Sequence, residues 1–191
     1  MMNLRQVERN WEAHRYQEIV ADLLATRVEA LMLPRLLAEA GPCAGIAAAA
    51  SAIIRLNELG LSDRPLCAKL IRVLLASQLP DGSWGDLPTT ALALRALLAG
   101  YGLGLSVARA IEYFAALQRE DGSWPEVALR RMPGDAATTA FILLQLADQE
   151  SFAERCNVPA ALTWLATHAA HQDHAATRLA AAAQRRLAAV G

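Results

Sequence analysis

Apolar residues recur along this chain at helical spacing, in blocks separated by short polar or glycine-rich breaks. Residues 3–24 predict a first helix, because Leu4, Val7, Trp11, Ile19 and Leu23 follow helical spacing with charges between them. Residues 25–40 predict a second, bent at Pro34 and stopped by Gly41-Pro42. Further helices are predicted over 46–59, 66–77, 88–99, 107–117, 136–147, 159–169 and 175–190. Runs of Val, Ile and Thr, which would suit strands, are scarce.

The blocks also repeat. Gln78-Leu79-Pro80-Asp81-Gly82-Ser83-Trp84 is answered forty positions later by Gln118-Arg119-Glu120-Asp121-Gly122-Ser123-Trp124. Each copy leads into an Asp-x-x-Thr-Thr-Ala run, Asp86 to Ala91 and Asp135 to Ala140, and the second copy carries extra residues 126–133 before it. Residues 51–60 match 91–100 at the same spacing, with Arg55 on Arg95 and each segment ending in a glycine, Gly60 and Gly100, read as left-handed caps. Lys69, Leu74 and Gln78 match Arg109, Phe114 and Gln118, and Ser106 is placed to cap its helix. A period of this length predicts an all-α fold of stacked helical hairpins, a curved α/α array forming a partial barrel or toroid. The expected organisation is a single domain over 1–191, with capping helices in 1–41 and the array in 42–191.

Composition narrows the class. Hydrophobic residues make up 54% of the 191 positions and charged residues 19%, with alanine and leucine dominating, which favours helix over strand. A formal charge of −1 supplies no field for nucleic acid. Three scattered cysteines, Cys43, Cys67 and Cys156, do not make a disulfide framework. The first eleven residues are polar, and the apolar run 43–54 is too short to span a bilayer, so a cytoplasmic location without a transmembrane segment is expected.

The repeated module has a physical reading of its own. A glutamine at a helix end bonds free backbone groups, Asp-Gly makes the corner, and the tryptophan buries a large ring while donating its N–H. Gln78, Trp84, Gln118 and Trp124 are therefore structural residues.

Arg109, Tyr113, Phe114, Gln118 and Asp121-Gly122-Ser123-Trp124 together resemble the QW repeat of the prenyltransferase and squalene–hopene cyclase superfamily, and Lys69 to Trp84 makes a second copy. The resemblance implies outer helices tied to neighbouring turns and a concave apolar cavity for an isoprenoid or similar chain. Class II terpene cyclases of this superfamily protonate their substrate with an Asp-x-Asp-Asp motif at the start of an inner helix. Here Asp135 matches its first position, but Ala137 replaces the proton donor and Thr138 the last acid. A methyl group donates no proton. The zinc-binding Asp-x-Cys of the protein prenyltransferases and the Asp-rich magnesium motif of class I synthases have no counterpart, so no cofactor is expected.

Asp135 and Glu126 are the candidate substitute acids, and Asp86 and Asp135 are equally placed to cap helices. Thr89, Thr90, Thr138 and Thr139 are candidate ligand contacts on the concave face. Arg130 and Arg131, in the longer loop, are placed to clamp a carboxylate or diphosphate. His168, His171 and His174 beside Asp173 have spacing that suits zinc, but a run across a helix end reads better as a solvated corner. Two function classes follow. One is a compact cyclase that uses a non-standard acid. The other is a non-catalytic module that binds an apolar ligand or acts as a scaffold. The apolar ends of such an array predict a homodimer or a complex with a larger biosynthetic protein.

Overall fold

The computed structural model describes residues 44–129, 131–168 and 174–188. The two helices expected within 1–41 lie outside these residues. The described chain is all-helical: α1 (Ala44–Glu58), α2 (Pro65–Ser77), α3 (Leu87–Gly100), α4 (Leu105–Leu117), α5 (Ala136–Leu146), the short α6 (Glu150–Ala153), α7 (Val158–His168) and α8 (His174–Ala188). The only extended pairing among the described residues is one isolated bridge, Pro125 with Gly134. Predicted and observed ends agree to within two residues. The sequence missed α6.

Two kinds of helix alternate. α3 and α5 are mainly apolar and buried on nearly every side, as such helices must be. α2 and α4 are amphipathic. α2 buries Cys67, Leu70, Ile71 and Leu74, and α4 buries Val107, Ala110, Ile111 and Phe114, the same i, i+3, i+4, i+7 stripe forty residues on. α3 packs on α1 and α5, and α5 packs on α3 and α8, so α1, α3, α5 and α8 join in one continuous row. α2 lies against α1 and α3, α4 against α3, and α7 against α5 and α8.

Local chemistry sets the helix ends. Asp86 caps α3 by accepting from the Thr89 amide at 2.7 Å, with Pro88 in the first turn. Asp135 does the same for α5 through Thr138 N, also at 2.7 Å. α1 ends at Gly60, whose φ of +69° allows Leu61 N to reach Leu56 O at 2.8 Å.

Two expectations need correction. Gly100 is not a left-handed cap; it lies inside the last turn of α3, and Gly102 takes the positive φ of +85°. Gly100 sits in tight packing instead: a Cβ there would stand 3.1 Å from Ile53 Cγ2 and 3.3 Å from Ile71 Cδ1. Ser106 does not cap α4, which begins one residue earlier with extended Gly104 at the N-cap.

Candidate functional site

The two Gln-to-Trp modules fold into corners with the same bonds. Gln78 Nε2 donates to Gly82 O at 2.9 Å and to Ser106 O at 2.8 Å. Gln118 Nε2 donates to Gly122 O at 2.9 Å and to Asn157 O at 3.1 Å, and Gln118 Oε1 accepts from Asn157 N at 2.8 Å. Each glutamine thus closes its own turn and pins it to the start of the next amphipathic helix, α4 or α7. Trp84 Nε1 donates to Leu74 O at 2.8 Å and Trp124 Nε1 to Phe114 O at 2.9 Å, with both indoles fully buried. Gly82 and Gly122 have φ of +91° and +88°, and a Cβ on either would stand 2.4 Å from backbone of the adjoining helix, at Arg109 O and Ala161 N.

The corners consume half of the threonines proposed as ligand contacts. Trp84 N donates to Thr90 Oγ1 and Trp124 N to Thr139 Oγ1, each at 3.0 Å. Thr90 Oγ1 in turn donates to Asp86 O at 2.7 Å, and Thr139 Oγ1 to Trp124 O at 3.3 Å. Thr89 differs: it is fully buried on α3, and its hydroxyl has no hydrogen-bond partner among the described residues. Gln145 Nε2, buried on α5, is in the same position. Thr138 is buried and supplies the amide that Asp135 caps.

The proposed acids stand in different surroundings. Asp135 is half-buried, its carboxylate held by the capping bond and its own N–H donating to Trp124 O at 2.8 Å. Glu126 is exposed on the loop. That loop is tied at its base by the Pro125–Gly134 bridge and by Arg119 Nη1, which donates to Met132 O at 2.6 Å. Arg131 is exposed and lines an open recess of about 460 Å³ with Arg119, Glu120 and Asp121, two bases facing two acids. Arg130 lies outside the described residues. Burial opposes ionisation of Asp121, but hydrogen bonds from Ser123 and the nearby Arg119 outweigh it and hold the carboxyl below its ordinary value.

Two residues that the sequence did not single out, Phe152 and Asn157, complete the second corner. Phe152, from the short α6, is fully buried 5.7 Å from the Phe114 ring and 6.0 Å from the Trp124 ring. Asn157 receives Gln118 and caps α7 through Oδ1 to Ala160 N at 3.0 Å. Tyr113, on α4, packs edge-on against Phe114, and its buried hydroxyl lies by the first corner, close to Asp81, Ser83 and Asp86. Burial, then the charges of Asp81 and Asp86, push its pKa up to about 12. A phenylalanine within a polar run was the available signal for α6. Tyr113 lay within the repeated module, but nothing in one dimension placed it beside Asp81 and Asp86.

The histidine run supplies no metal centre among the described residues. His168 stacks on Trp164 at 4.3 Å, and its Nδ1 sits 2.8 Å from Trp164 O. His171, Asp173 and the side chain of His174 lie outside the described residues. Cys67 and Cys156 are free and buried. Burial raises both thiols, with Glu112 adding at Cys156, which reaches about 12. Neither is set up as a nucleophile.

Comparison with family models, curated proteins and solved structures returned no match. The chemistry of the site therefore rests on the residues themselves. Asp135 is an acceptor of a backbone amide, and Glu126 is exposed. No helix among the described residues is long and apolar enough to cross a membrane.

Proposed function

We propose that this chain is a binding module built on the QW-repeat α/α fold of the terpene cyclases, holding an isoprenoid or similar apolar chain without protonating it. The helix row α1, α3, α5, α8 would form the inner layer of a curved array, with α2, α4 and α7 outside. The bonds the two corners share, from glutamine to turn and next helix and from indole to the preceding helix, support this arrangement. The observation that carries the non-catalytic half is at the start of α5. Ala137 and Thr138 stand where the superfamily has acids, and the one carboxylate left, Asp135, is bound as a helix cap. The buried, unpartnered Thr89 Oγ1 and Gln145 Nε2 are suited to a ligand hydroxyl or to water within an otherwise apolar interior.

The test is incubation of the full chain with prenyl diphosphates, prenyl alcohols and squalene-like polyenes. Products are analysed, and binding is followed by tryptophan fluorescence. Saturable binding with the chain recovered unchanged is the expected result. Cyclic products that disappear in Asp135→Asn or Glu126→Gln would make the protein an enzyme. Failure to bind any of these chains would leave a scaffold.

A further inference from the structure

We infer that two copies of this chain meet through the face formed by residues 101–105 and the outer side of α4. Three large side chains in this connection stand in solvent, Tyr101 at 52% exposure, Leu103 at 76% and Leu105 at 75%. An aliphatic side chain left this exposed forgoes its burial free energy, and three within five residues form a patch rather than scattered surface residues. Immediately beside them an open groove of about 500 Å³ runs along α4. Leu103, Val107, Ala108 and Ile111 make its apolar wall, and Glu112, Ser151 and Arg155 its rim.

Knob and hole lie on one face. Leu103 lines the groove and also projects beyond it, so a small ligand in the groove would leave Leu105 and Tyr101 in water. A body of protein size covers both. A two-fold axis through the face places the projecting leucines of each copy in the groove of the other, which is the self-complementarity an isologous contact requires.

The charges at the rim select a second copy over an unrelated apolar surface. Glu112 and Arg155 are both 57% exposed and lie side by side, with Arg155 Nε 2.9 Å from Glu112 Oε1. An acid and a base adjacent on one face are self-complementary under a two-fold rotation: Glu112 of one copy comes opposite Arg155 of the other. Partial withdrawal from water strengthens both pairs.

Analytical ultracentrifugation of the full chain tests this inference. The unaltered protein is expected to dimerise reversibly. Leu103→Asp and Leu105→Asp, at exposed positions, are expected to weaken the dimer about tenfold or more with the helical circular dichroism unchanged. Glu112→Arg and Arg155→Glu address the charges. One variant's face then carries two cations and the other's two anions, so each alone is expected to be monomeric. Mixed in equal amounts, the two form a heterodimer with both cross-pairs restored. A role confined to the fold of one chain gives no such rescue. The inference is overturned if the unaltered protein stays monomeric, if the leucine variants dimerise as well as it does, or if the mixture associates no better than its components.

Discussion

Trp124→Ala tests the corner, the unit on which the arrangement of helices depends. The indole is fully buried, sits edge-on to Phe114 at 6.5 Å and 86°, and lies 6.0 Å from Phe152. Removing a buried ring of this size costs about 3–5 kcal/mol, since its neighbours close only part of the space. The hydrogen bond adds less than it first suggests. Phe114 O, its acceptor, also accepts from Gln118 N at 2.9 Å, so deletion leaves no orphaned carbonyl. The net loss from that bond is about 1 kcal/mol. Trp124→Phe, which keeps most of the apolar area, should therefore cost only about 1–2 kcal/mol. In a thermal melt followed at 222 nm, the alanine variant should fall by roughly 6–20 °C, since each kcal/mol is worth about 2–4 °C at this chain length. An alanine variant that melts within a degree or two of the parent would refute this account. So would a phenylalanine variant as damaged as the alanine one, which would mean that the N–H and not the ring holds the corner.

Two further outcomes follow from the same geometry. Gly122→Ala combines a left-handed backbone with a Cβ placed 2.4 Å from Ala161 N, and should cost at least 2 kcal/mol in urea denaturation; a neutral result would show that α7 moves aside freely. Tyr113 has a folded pKa raised to about 12 by burial and by Asp81 and Asp86, so the stability it contributes is complete below its ordinary value near 10 and is lost as pH rises towards 12. The loss is on the order of 2–3 kcal/mol, and Tyr113→Phe should remove it; a denaturation midpoint that falls equally between pH 9 and 12 in both proteins would contradict this.

The helices and the corners were legible in one dimension because both depend on local rules. The i, i+3, i+4, i+7 stripe in α2 and α4 and the mainly apolar composition of α3 and α5 follow from burial alone. Gln118 and Trp124 announced their bonds because few residue types reach a free carbonyl from a helix end and fill a corner as well. Other features depended on distances between remote segments. Gly100 looked like a cap, since its neighbours across space, Ile53 and Ile71, are dozens of positions away. Thr90 and Thr139 looked available to a ligand until Trp84 N and Trp124 N were found on their hydroxyls. Asp135 could be read from sequence as acid or cap, and only the position of the Thr138 amide gave the cap its bond. Periodicity and residue chemistry determine which surfaces are buried and which groups seek partners. Only the packed chain decides which partners they meet, because that choice depends on how separate helices approach one another.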